Sequence, residues 1–251
     1  MAAFQAYKTV RRGMAQRAES IAYDHALQIL RWEERLGIDL ELRVQQRIVE
    51  HDWLFWFFNR YYMAMMWMFY ACCVVAILRA PAHYPYLRRV FLCSMLLALP
   101  WFYLYPLAPP RFMGEYGYPF LDSQAVYGPN YFSGRSPVTA NQFAAMPSMH
   151  CGWTTIGAAM LAYALPRRHL GLILGATYAA VMFLTVVVTG HHYFLDIAGG
   201  LVTAGGAFAL AWMIPHVLQL AWRRGEPADS SLPAAEVPSN VGSLPLLRPE
   251  R

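Results

Sequence analysis

Charge is scarce in this 251-residue chain: 14% of residues are charged, against 57% hydrophobic and 15% aromatic. That excludes an average soluble composition, in which about a quarter of residues are charged. Cysteine is also scarce. Cys72, Cys73 and Cys93 lie inside apolar runs and Cys151 follows His150, a spacing that suggests neither a disulfide framework nor a zinc knuckle, so four free thiols are expected. The N-terminus, MAAFQAYKTVRRGMAQ, has basic residues without an apolar core behind them. It is not expected to be a secretory leader, and insertion is expected to rely on internal helices. There is no internal repeat.

What is present is a series of apolar stretches long enough to cross a bilayer, at about 20 residues per helix. One domain is the natural count, with the membrane as its main solvent. The excess of 20 Lys and Arg over 15 Asp and Glu clusters in short connections, which topology explains better than nucleic acid does. The expected fold is all-α: a polytopic membrane helical bundle of about five transmembrane helices with an N-terminal amphipathic helical segment.

Residues 1–52 interleave Ile21, Leu27, Leu30, Leu36, Leu40 and Val44 with acids and bases, the pattern of one or two amphipathic interfacial helices or of a solvent-exposed helical hairpin. Residues 53–222 form the membrane domain. Its first helix is expected from about Tyr61 to Leu78, with 53–60 as an interfacial approach, and the second over about Val90 to Leu107 with a kink at Pro100. Residues 108–146 turn to Pro, Gly, Asn, Ser and Tyr, a connection long enough to carry function. A third helix is expected to open at Pro147, a fourth over Leu170 to Thr189, and a fifth from near Phe194 to Trp222 through small residues that permit close helix approach. Residues 223–251 read as a disordered Pro-rich tail.

Five crossings place the 108–146 and 190–195 connections on one face. The opposite face carries Arg79, Arg88, Arg89, Arg167, Arg168, Arg223 and Arg224, so the positive-inside rule makes the motif face extracytoplasmic. The nine Lys and Arg up to Arg60 argue the other way.

Three short segments fall at helix ends on that face: PLAPPRF at 106–112, MPSMH at 146–150 and TGHHYFLD at 189–196. Ser148 and His150 would sit in the first turn of the third helix, where unpaired N–H groups and the helix dipole attract phosphate. His192 and Asp196 are four residues apart, on one helical face, where a carboxylate can fix the imidazole tautomer and stabilise its protonated or phosphorylated form. Two histidines and a carboxylate suit in-line phosphoryl transfer, one histidine attacking phosphorus and the other protonating the leaving oxygen, with arginines neutralising the equatorial oxygens. An aspartate within an apolar helix needs a partner, because burying a charge at the bilayer centre costs about 2.5–3.5 kcal/mol or more. His150, His191, His192 and Asp196 also admit a zinc or iron hydrolase, which chelator resistance would separate.

PSMH followed by the distant His192-x-x-x-Asp196 resembles the type 2 phosphatidic acid phosphatase superfamily. APPR, AAMPSMHCGW and GHHYFLDIAGG are particularly similar to its inositol phosphorylceramide synthase branch, over roughly residues 55–215. The resemblance implies that His192 is the nucleophile, His150 the general acid and Asp196 the residue that orients His192. It also implies that Ser148 and Arg111 bind phosphate, with a lipid phosphate or phospholipid as substrate, the membrane as partner, and neither cofactor nor metal. The chain departs from the family where Leu104 replaces a lysine and Val186 an arginine. Arg135 is a replacement on charge grounds, or an ordinary loop arginine. His191 is either a supporting residue or lipid-facing, and Asn141 and Tyr193 are structural. An active phosphatase, a phosphotransferase passing a phospho-head group to an alcohol, and a degenerate lipid-binding relative all remain open, with transfer favoured by the branch.

Overall fold

The computed structural model describes residues 2–128 and 142–225, and these are all-helical apart from one bridge between Leu107 and Ala144. The N-terminal segment forms α1 (Ala2–Leu36) and α2 (Glu41–Val49). Then come α3 (Asp52–Arg79) and α4 (Tyr84–Leu104), a 3-10 helix (Pro110–Tyr116), α5 (Ser123–Tyr127), α6 (Met149–Ala164), α7 (Arg168–Val188) and α8 (Phe194–Gly225). The compact unit is Met1–Met213; from Ile214 a separate unit begins, of which the end of α8 is described.

Helices α3, α4, α7 and α8 are long and apolar enough to span a bilayer. With the shorter α6, of 16 residues, they make up the expected bundle of about five apolar helices. The sequence was expected to break α3 into an approach and a span, but Asp52–Arg79 is one helix. Its first-turn Asp52 and last-turn Arg79 both complement the helix dipole. Trp67, Val74 and Leu78 remain exposed, as lipid-facing side chains of a membrane helix do.

Helices α6 and α7 approach through Gly171 and Gly175, a pair spaced by three residues. A Cβ at Gly171 would lie 2.6 Å from the Leu161 carbonyl oxygen, and one at Gly175 2.8 Å from that of Ala158. Small residues at this spacing let membrane helices pack backbone to backbone, where lipid supplies no hydrophobic drive for association. In the small-residue stretch of α8, Gly200 packs on α6 so closely that a Cβ would collide with the Ser148 carbonyl, whereas Gly205 faces open space.

The expected opening of the third helix at Pro147 is corrected. The Met146–Pro147 bond is cis, Ser148 is the N-cap with its hydroxyl accepting from the Cys151 N–H, and α6 starts at Met149.

The N-terminal segment packs onto this end of the bundle. Ala22, Ala26, Ile29, Leu30 and Glu33 fall at helical spacing on one buried face of α1, and the four apolar ones join Leu107, Ala108, Met113, Ala145 and Tyr193 in a core cluster. His25 stacks on Tyr105 with ring centroids 3.9 Å apart, and its Nδ1 lies 2.8 Å from the Pro106 carbonyl oxygen. The four cysteines are unbridged.

Candidate active site

The turn between α7 and α8 carries the site, and its shape follows from Gly190. Its φ of +72° is a left-handed conformation that glycine adopts without Cβ strain. Gly190 N–H donates to Val187 O and His191 N–H to Val186 O, the paired bonds of a Schellman cap that ends α7. Any side chain there would also lack space, since a Cβ would lie 2.9 Å from Leu121 O and 3.2 Å from Arg111 Cβ.

Backbone bonds bring the three sequence segments to this turn. Arg111 N–H donates to Gly190 O at 2.9 Å, and Ser148 N–H to Asp196 O at 3.0 Å. Tyr193 donates its hydroxyl to Ala108 O at 3.2 Å. The histidines and the arginine are thus placed by main chain before any side-chain contact is considered.

His192 and Asp196 meet as their spacing predicts. His192 Nδ1 lies 3.3 Å from Asp196 Oδ2, and the same oxygen accepts the Tyr193 N–H at 3.0 Å. On the other side of the ring, His192 Nε2 lies 3.3 Å from His150 Nδ1. Asp196, His192 and His150 therefore form a continuous line from the buried start of α8 to α6. Burial and the neighbouring Arg111 push the His192 pKa down to about 3, so the imidazole is neutral and offers a lone pair. Arg111 is itself buried, with Nε 3.6 Å from Asp122 Oδ2; Asp122 also caps α5 through the Gln124 and Ala125 N–H groups.

His192, His150 and Arg111 line a cavity of about 340 Å³. Its polar wall comprises His150, His191, His192, Arg111, Tyr62 and Gln142, and its apolar wall includes Met95, Leu99, Phe102 and Trp153. Met95 and Leu99 are also exposed on α4, so the apolar wall borders the lipid-facing surface. His191 lines the cavity with its ring stacked on Tyr62, as is that of His150, at centroid distances of 4.0 and 4.4 Å.

Ser148 is fully buried, engaged as the α6 cap, and does not line the cavity. Leu104 is 72% exposed at the end of α4, and Val186 is buried in α7 with its carbonyl accepting from His191 and His192; neither faces the cavity. Arg135 and Asn141 lie outside the described residues. Among the described residues no three His, Cys, Asp or Glu side chains converge as metal ligands.

Sequence reasoning missed Tyr62 and three buried groups from the N-terminal segment. Glu33 accepts the Leu195 N–H at 2.7 Å and Glu41 the Phe194 N–H at 3.0 Å, so two carboxyl groups cap α8. Gln45 donates to Val188 O and Leu121 O, each at 2.9 Å, and accepts the Leu121 N–H at 2.8 Å. A signal was available: polar side chains at positions that continue the apolar face of an amphipathic helix.

Residues 27–210 match the sequence profile of the PAP2 superfamily, and the chain belongs to that superfamily. It is 29% identical over 143 residues to a phosphoinositol dihydroceramide synthase of Bacteroides thetaiotaomicron, covering 51% of this chain and 45% of that one. It is 30% identical over 125 residues to the catalytic subunit of inositol phosphorylceramide synthase of Schizosaccharomyces pombe, covering 43% of this chain and 28% of that one. The chain thus spans less than half the length of either relative. No solved structure matches significantly. Superfamily membership and the apolar spans together define an integral membrane protein of the PAP2 superfamily.

Proposed function

We propose that the chain is a lipid phosphotransferase that moves a phosphorylated head group between a lipid and an acceptor alcohol through a phosphohistidine intermediate. The observation that carries this is the Asp196–His192–His150 line, with 3.3 Å at each step, whose two histidines lie on the wall of a cavity with an apolar opposite wall.

In the first half-reaction the His192 Nε2 lone pair attacks phosphorus and the bond to the leaving oxygen breaks. His150 protonates that oxygen, and Arg111 neutralises the equatorial phosphoryl oxygens. Asp196 holds the proton on His192 Nδ1 and offsets the charge that develops on the ring. In the second half-reaction an alcohol attacks the phosphohistidine and gives its proton to His150, restoring the free site. With a lipid phosphate monoester as donor and water in place of the alcohol, the same two half-reactions would give a phosphatase. No metal enters the sequence of steps. Met95 and Leu99 suit the apolar part of a lipid entering from the bilayer. The arginines at the other helix ends favour an extracytoplasmic site in a cell membrane.

The test is transfer of labelled head group from phosphatidylinositol and of labelled phosphate from phosphatidic acid, with EDTA, by wild type and His192→Ala. A new phosphodiester made by wild type alone supports transfer, and free phosphate alone supports a phosphatase. Equal inertness of both proteins across the panel sinks the enzymatic reading in favour of lipid binding.

A further inference from the structure

His191 lines the cavity, yet the chemistry above leaves it unused. Its Nδ1 lies 3.0 Å from Thr189 Oγ1 and 3.1 Å from Thr189 O. Thr189 in turn donates its hydroxyl proton to Thr185 O at 2.7 Å. A carbonyl oxygen only accepts, and a hydroxyl whose proton is already engaged can only accept too. The ring proton is therefore on Nδ1, and Nε2 holds a lone pair. Burial, then Arg111, His192 and His150, push the His191 pKa well below its ordinary value, so the ring stays neutral.

His191 Nε2 is buried and meets no hydrogen-bond partner among the described residues. The ring is held in place, because Tyr62 stacks on it with an interplanar angle of 29°. Buried acceptors without donors are uncommon and unfavourable, and a ligand that brings a donor relieves the cost. The ionised phosphoryl oxygens of a phosphodiester bring no donor, and two lone pairs facing each other repel. A hydroxyl group fits.

We propose that His191 accepts a hydrogen bond from a hydroxyl of the phosphate-linked head group, making this side of the cavity a subsite for a polyol. The subsite's place in catalysis rests on the phosphotransfer reading, but its binding chemistry can be measured separately. The head group remains in the cavity through both half-reactions, so an acceptor fixed by Thr189 and Tyr62 would hold it in both.

The test uses the full chain in detergent micelles, with two calorimetric probes that carry no P–OH: the methyl phosphodiester of myo-inositol 1-phosphate as the inositol phosphate and dimethyl phosphate as the phosphate. Wild type is expected to bind the inositol phosphate about tenfold or more tightly than phosphate, the discrimination a buried acceptor confers on a hydroxyl. His191→Phe keeps a ring against Tyr62 and removes Nε2, and it should bring the two affinities to within about twofold by weakening the inositol phosphate alone. If His191→Phe does not fold, Thr189→Val, which removes one of the two acceptors fixing the ring proton, should narrow the ratio part of the way. Equal weakening of both probes would make His191 a phosphate ligand and overturn the proposal, as would an unchanged ratio or a wild type that binds neither probe at millimolar concentration. An inert enzyme that still discriminates through His191 would sink the transfer reading and leave this one standing.

Discussion

Glu33 of α1 accepts a 2.7 Å hydrogen bond from the backbone N–H of Leu195, 162 positions further along the chain. Leu195 is next to Asp196, so a side chain of the N-terminal segment holds the start of the helix that carries the proposed catalytic carboxylate. Burial and the adjacent Glu41 carboxyl push Glu33 well above the ordinary carboxylate range, so it holds a proton and acts as a neutral acceptor. Glu33→Leu should leave the Leu195 N–H buried and unpaired at a cost of about 1–3 kcal/mol. It should lower both the melting temperature in detergent and kcat. Glu33→Gln keeps a neutral acceptor and should recover most of each; a glutamine variant as impaired as the leucine one would refute the neutral-acceptor role.

Asp196→Asn preserves the shape of the site while removing the charge that balances the His192 ring. The expected loss in kcat is on the order of 10²–10⁴-fold, the range of a general acid–base contribution, with substrate affinity little changed. Steady-state kinetics on phosphatidylinositol would check this, and a loss confined to KM would contradict the assigned role.

Acid should destabilise the protein through His192. Its folded pKa of about 3 lies below the unfolded value of 6.5, so between these values the unfolded chain binds more protons than the folded one. Stability therefore falls as pH drops from about 6.5 towards 3, by up to about 1.4 kcal/mol per pH unit for this group. Melting temperatures across that window should decline less steeply for His192→Gln than for wild type. Parallel curves would show that the histidine does not titrate this way.

Gly171→Ala tests the helix packing separately from the chemistry. Its Cβ would lie 2.6 Å from Leu161 O, so α6 and α7 must separate, at a cost of about 1–3 kcal/mol. Thermal unfolding should shift down while activity per folded molecule is retained.

The five apolar helices and the His192–Asp196 pairing were legible in the sequence because both depend on local spacing: a run of some twenty apolar residues and an interval of four. The convergence of Arg111, His150 and His192 was legible as three motifs on one face, but its cause, a Schellman turn at Gly190 bonded to the Arg111 N–H, was not. Tyr62 fell at the start of the expected first membrane helix, where no spacing set it apart from its apolar neighbours. Helical spacing marked Glu33, Glu41 and Gln45 as continuing a buried face, but their partners lie 76 to 162 positions away, and local spacing does not name a distant partner. The start of α6 was misplaced by two residues because Pro147, read as a first-turn residue, precedes the cap.

The docking of α1 and α2 gives the protein a handle outside the proposed catalytic cavity. A small molecule or antibody fragment that pried the Ala22–Ala26–Ile29 face from Leu107 and Tyr193 would slacken the turn bearing His192 without touching the cavity proposed to take the lipid. Such an agent would inhibit allosterically, depressing turnover at every lipid concentration, and excess substrate would not overcome it.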